Sequence, residues 1–195
     1  MEEGSLIFKN VSFSLPAGGA MLVQGANGAG KTSLLDMIVG DLPPVAGRLI
    51  WDSVLCDSGG LQLKRWEAER FCWFEDPGLP QITPNITVQQ QIELFSINSN
   101  THYSATHVLK LMRLWELRDL MTNILSTGQR KRLALSRLAL VARPVWLLDE
   151  PTLGLDTQSI ALLEAMIRDH RQRGGMLIIA SHADIALENA VSLRM

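Results

Sequence analysis

Apolar positions along the chain follow two different periods. Met21-Leu-Val23, Val145 to Leu148 and Met176 to Ala180 are short unbroken apolar runs. That is the pattern of strands buried on both faces. Leu6 to Leu15 alternates instead, with Val11, Phe13 and Leu15 between serines, and predicts a strand-rich start before the turn Pro16-Ala-Gly-Gly19. A further strand is predicted over Arg48 to Trp51, after Pro43-Pro44 and Gly47. Helical spacing appears at Thr32 to Val39, where Leu34, Leu35, Ile38 and Val39 share a face and Gly40 closes the run. It recurs at Val88 to Phe95, His107 to Leu114, Arg130 to Leu140 and Gln158 to Arg173.

Strands alternating with helices across glycine turns predict an α/β fold with a parallel sheet covered by helices. The 195 residues suit a single domain with a well-buried core. From about 61 to 143 the chain is richer in helix-forming and polar residues. This stretch reads as a helical subdomain inserted into a core built from about 1–60 and 144–195.

Composition removes several classes. Hydrophobic residues are 47% and charged residues 19%, an ordinary globular balance. A net charge of −2 gives no global pull toward nucleic acid. Cys56 and Cys72 match no metal spacing and make no disulfide framework. The acidic start Met1-Glu-Glu-Gly-Ser5 is unlike a signal peptide. The most apolar stretch, Leu133 to Leu148, is broken by Arg137 and Arg143, so the chain is not expected to cross a membrane by itself. It can still sit against one through a partner.

The chemistry begins where the strand at Met21 runs into Gly25-Ala26-Asn27-Gly28-Ala29-Gly30-Lys31-Thr32, followed by Ser33. The spacing is that of a phosphate-binding loop. Glycines let successive backbone N–H groups turn inward around phosphate. The next helix aims its N-terminus at the same place. Lys31 would contact the β- and γ-phosphates of ATP, and the Thr32 hydroxyl would ligate Mg²⁺. Alone, the loop fits kinases, GTPases, helicases and transporter motors equally.

Three later segments narrow the choice: Leu125-Ser-Thr-Gly-Gln129, Val145-Trp-Leu-Leu-Asp149-Glu150-Pro-Thr152 and Ile178-Ile-Ala-Ser-His182. With the phosphate loop, their order and spacing resemble the ATP-binding cassette (ABC) ATPase family over nearly the whole chain. An acid ending a buried strand beside the loop can hold Mg²⁺, which fits Asp149; Glu150 is then the general base. The resemblance implies that Ser126, Gly128 and Gln129 contact the γ-phosphate of ATP held by a second copy. It makes His182 the switch histidine, and Asp156, in Gly154-Leu-Asp156, the acid that couples the two sites. Its implied partners are a second ATPase subunit and integral membrane transporter subunits, with the chain peripheral on the cytoplasmic side of the inner membrane.

The chain departs from the family pattern at three positions. Thr127 replaces a glycine of the signature. At the glutamine-loop position stands Asp76, which as a carboxylate still suits Mg²⁺; Gln81 is the second choice. The adenine-stacking aromatic would fall near Glu2, which leaves Phe8 or another chain to supply it. Gly28-Ala-Gly-Lys-Thr-Ser-Leu-Leu35, Gly47-Arg-Leu-Ile-Trp51, Asp76-Pro-Gly-Leu79, Arg132 to Leu140 and Arg171-Gln-Arg-Gly-Gly175 resemble the cytochrome c maturation (haem export) subgroup. An ABC ATPase for lipoprotein or small-molecule cargo, a non-transport ATP-binding module and a metabolic kinase are the competing readings. His102, His107 and His170 read as surface residues. Arg130-Lys-Arg132 reads as a solvated face or electrostatic support for nucleotide, with no direct role in nucleic-acid binding.

Overall fold

The structure, a computed structural model, describes residues 6–51, 54–56, 71–75, 82–97, 103–182 and 187–195; at 51, 54–56 and 71–75 it gives the backbone course alone. Among the described residues seven strands appear: β1 (Ala20–Gln24), β2 (Leu49–Trp51), β3 (Val54–Cys56), β4 (Phe71–Glu75), β5 (Val145–Asp149), β6 (Met176–Ser181) and β7 (Ala190–Arg194). The described residues also hold five α-helices: α1 (Lys31–Val39), α2 (Val88–Ser96), α3 (Ala105–Leu111), α4 (Thr127–Leu140) and α5 (Thr157–Gln172).

One sheet has the order β4-β5-β6-β1-β7 with every pair parallel. A separate antiparallel ribbon joins β2 and β3. Parallel neighbours need crossover connections, and those crossovers carry the helices that cover both faces of the sheet. The period-two alternation decides which side chain meets which layer. Ala20, Trp146, Leu148, Leu177 and Ile179 pack with α2, α3, α4 and α5 through Ile92, Leu109, Leu133 and Leu163. Met21, Val23, Val145, Leu147, Ile178 and Ala180 pack with α1 through Leu34, Leu35, Ile38 and Val39. Each unbroken apolar run therefore serves two cores.

Helix starts follow local chemistry. Thr87 and Ser126 each form a reciprocal capping box with the glutamine three residues on, at the starts of α2 and α4. Ser104 caps α3 and Asp156 caps α5. Helix α1 alone among these five begins without a side-chain cap, at Gly30 with φ 95°. Its first N–H groups are thus left for something else to satisfy.

Several elements differ from the sequence expectation. Leu6 to Leu15 forms no strand; Phe8, Val11, Phe13 and Leu15 lie on the α1-side core from a segment without a ladder among the described residues. Alternation there reports half-burial, which an extended segment meets without a ladder. Phe71–Glu75 falls inside the stretch 61–143 expected to be helical, yet it is β4, paired with β5 in the main sheet. Strands β3 and β7 were not anticipated. Helix α3 stops at Leu111, short of Leu114, because Arg113 takes a left-handed φ of 54°. Among the described residues no helix is long and apolar enough to cross a membrane.

Candidate functional site

Parallel strands deliver their C-terminal ends to one edge of the sheet, and the loops leaving that edge are where α/β proteins bind ligands. Register aligns the ends closely: Gln24 pairs with Ser181, and Asp149 with Ala180. The phosphate loop follows Gln24, Glu150 follows Asp149 and His182 follows Ser181.

Gly28 and Gly30 have φ of 81° and 95°, conformations that an L side chain resists. Nothing lies near a Cβ built on Gly28, so backbone shape alone requires glycine there. A Cβ on Gly30 would meet Ile7, with Phe8 and Met195 close behind. Phe8, the candidate base-contacting aromatic, therefore does lie against the loop. Ala29 N–H closes a turn onto Ala26 O at 3.1 Å. Lys31 is 7% exposed, and its Nζ donates to Gly25 O at 2.9 Å and Ala26 O at 3.3 Å. The ammonium is folded back over its own loop, 3.7 Å from Glu150 Oε1. Ser33 is half-buried in the first turn of α1.

Thr32 Oγ1 donates to Asp149 Oδ2 at 2.6 Å across 117 residues of sequence. A hydroxyl and a carboxylate suit a hard divalent cation. Octahedral Mg²⁺, with bonds of about 2.0–2.1 Å, sets neighbouring ligand oxygens roughly 2.9 Å apart, so a small separation of this pair admits the ion. No cluster of three acidic, histidine or cysteine groups able to hold a metal occurs among the described residues. Mg²⁺ in nucleotide sites typically takes one or two carboxylates plus substrate phosphates, so the donor set fits that use.

Glu150 has a left-handed φ of 46°. Its N–H bonds Ala180 O at 2.8 Å, which sets the chain's exit from β5. Ser181 Oγ donates to Oε2 at 3.3 Å, and the His182 N–H donates to Oε1 at 3.1 Å. His182 Nδ1 lies 2.9 Å from the same Oε1. The carboxylate is 14% exposed and the histidine side chain 51%. An acid, a cation and a solvent-facing imidazole thus converge on one point beside the loop.

Ser126 and Gln129 cap each other at the start of α4. Among the described residues no hydrogen bond joins Ser126, Gly128 or Gln129 to the phosphate loop of the same chain. Thr127 is the first residue of the helix and is not among the positive-φ positions. A Cβ is therefore tolerated where the signature usually carries glycine. Asp156 Oδ1 accepts the Ser159 N–H at 2.7 Å. That backbone bond, ahead of the Ser159 hydroxyl, holds its carboxyl below the usual range.

The basic cluster is not a free solvated face. Arg130 donates to Asn123 O and Leu125 O, and Arg132 to Met112 O. Lys131 is 6% exposed, and its Nζ donates to Leu153 O in the loop that carries Gly154 and Asp156. Gly154, at φ 68°, lies close enough that a Cβ would stand 3.2 Å from that nitrogen. The signature helix and the 151–156 loop are thus tied inside one subunit. Sequence reasoning missed this tie, and missed Ser181; a lysine among arginines carries no sign of burial. Among the other histidines, His107 is exposed. His170 departs from the expected surface position, because its ring stacks on Trp146 at 4.0 Å. Asp76, Gln81 and His102 lie outside the described residues.

Comparison with known proteins agrees with this geometry. Residues 8–153 match the family described as ABC transporter. The chain is 37% identical over 196 residues to ABC transporter I family member 1 of Arabidopsis thaliana, covering 100% of this chain and 83% of the relative. It is 37% identical over 194 residues to the cytochrome c biogenesis ATP-binding export protein CcmA of Rhodospirillum rubrum, covering 97% and 79%. The fold matches an ABC transporter ATP-binding protein of Pyrococcus furiosus with TM-score 0.76 at 18% identity, over 98% of this chain and 92% of that one. It matches the dimeric post-hydrolysis state of the ATP-binding cassette MJ0796 bound to ADP and Pi with TM-score 0.71 at 22% identity, over 91% and 80%.

Proposed function

The chain belongs to the ABC transporter family as an ATP-binding, ATP-hydrolysing subunit, and from that premise we propose that it powers a haem-export or cytochrome c maturation complex by closing as a pair over ATP. The cargo class rests on the cytochrome c biogenesis relatives, which are 33–37% identical across nearly the full chain. Integral membrane subunits supply the path. The ATPase sits peripherally on the cytoplasmic face of the inner membrane. Exposed Leu120, Met121 and Ile124, just before the signature, offer apolar surface to such a partner.

Within the site, Gly25 to Ser33 cradle the phosphates. Lys31 exchanges its two loop carbonyls for phosphate oxygens when ATP enters. Thr32 and Asp149, with Asp76 as a further acid, would hold Mg²⁺, which would neutralise phosphate charge. Ser126, Gly128 and Gln129 of the second copy close over the γ-phosphate. Water attacks the γ-phosphorus, Glu150 takes the water's proton, and the bond to ADP breaks. His182 positions Glu150 and the water, and Asp156 helps couple the paired sites. The observation that carries this reading is the Glu150 carboxylate, held by Ser181 and His182 within 3.7 Å of Lys31.

The deciding experiment for cargo is purification from native membranes with identification of what accompanies the chain. Cytochrome c maturation subunits are expected. Recovery of lipoprotein-release or small-molecule transporter subunits instead would move the cargo and leave the ATPase chemistry intact.

A further inference from the structure

The opposite edge of the sheet, where β5 and β6 begin, carries a cavity of about 520 Å³. Its walls come from α3, the end of α4, the start of β5 and the C-terminal half of α5. None of the residues assigned to hydrolysis lines it. The volume falls in the range of small-molecule sites, and the lining is mainly apolar with a few polar groups.

Two stacked ring pairs stand among the aliphatic walls. Tyr103 stacks on His107 with ring centroids 4.9 Å apart, and Trp146 on His170 with centroids 4.0 Å apart. His170 is fixed further by Nε2, 3.1 Å from Met176 O, and by Gly175, where any Cβ would overlap the ring. Burial lowers its pKa and keeps the ring neutral. With Nε2–H given to Met176 O, Nδ1 remains an acceptor. Trp146 Nε1 is a buried donor with no hydrogen-bond partner among the described residues.

Charge in the lining does not cancel. Asp169 is matched by Arg173 at 3.1 Å and receives the Tyr103 hydroxyl at 3.2 Å. Arg143, half-buried in the lining, makes no hydrogen bond or ion pair among the described residues. Among the described residues, one positive charge of the lining is left without a counter-charge.

We propose that this cavity is a second ligand site, taking a small aromatic anion whose rings lie against the stacked side chains and whose acid group pairs with Arg143. Such a ligand would be of two- or three-ring size and distinct from the nucleotide.

The test is a fluorescence titration with 8-anilinonaphthalene-1-sulfonate, run with saturating ADP so that the nucleotide site is filled. One saturable site per chain is expected. Arg143→Gln should weaken binding about tenfold, the loss of one charge-assisted contact. The neutral analogue N-phenyl-1-naphthylamine should bind wild type correspondingly more weakly. Ala165→Trp, which puts a large side chain from an exposed position of α5 into the cavity, should abolish the site. Unchanged ATP hydrolysis in both variants reports intact folding. Equal binding of the two dyes, no effect of Arg143→Gln, or binding that survives Ala165→Trp would each overturn the proposal.

Discussion

His182 holds Glu150 at two points, with its backbone N–H 3.1 Å and its ring Nδ1 2.9 Å from the same carboxylate oxygen. One contact belongs to the main chain and survives any substitution but proline, while the other depends on the imidazole. That division separates what the fold fixes from what the side chain adds.

Glu150→Gln keeps the size and a hydrogen-bond acceptor but cannot take the water's proton. Hydrolysis is expected to fall by about 10²–10⁴, with nucleotide binding retained. Phosphate release and a fluorescent-nucleotide titration check the two halves. Equal turnover by both proteins would remove Glu150 as the base.

His182→Ala keeps the backbone donor and the Ser181 hydroxyl on Glu150, so its effect should be milder. A loss on the order of 10–10² in turnover is expected from misplacing the base without deleting it. A loss as large as that of Glu150→Gln would mean that the imidazole itself is indispensable.

Lys131→Met fills similar space but removes the donor to Leu153 O; Leu153 is 48% exposed, so water can take its place and the loss is about 0.5–1.5 kcal/mol. Turnover should drop severalfold while single-subunit nucleotide affinity stays the same, and Lys131→Arg should restore part of it. Wild-type turnover in the methionine variant would show that the tie between α4 and the 151–156 loop plays no part in coupling.

His170 gives a pH signature. Burial holds its folded pKa below the ordinary 6.5, outweighing the opposing effects of Met176 O and Asp169. The unfolded chain therefore gains a proton first as pH drops. The stability contribution is complete above about 6.5 and is lost as pH falls toward the depressed folded value. Chemical denaturation at a series of pH values should show that decline in wild type and a flatter profile in His170→Gln.

The glycine loop, the strands feeding it and the acid pair at 149 and 150 were legible in the sequence because their chemistry is local. The buried runs at Met21, Val145 and Met176 marked core strands, since strands covered on both faces leave no polar alternation. Long-range pairing was hidden. β4 pairs along the buried β5, but nothing in Phe71–Glu75 itself names that partner. Lys131 and His170 were misread for a related reason. Each carries a polar group whose partner, Leu153 O or Met176 O, is a backbone carbonyl, and a carbonyl leaves no mark in sequence.

Glu150 stands at φ 46°, a backbone shape that aims the side chain before any rotamer is chosen. Aim and reach are thus set by different parts of the residue. Aspartate tolerates left-handed backbone better than glutamate and would keep the aim. It is shorter by one methylene, about 1.5 Å, and would lose hold of His182, Ser181 or the water. Glu150→Asp should therefore fold at least as well as wild type and still hydrolyse poorly, as a base pointed correctly and standing too far back.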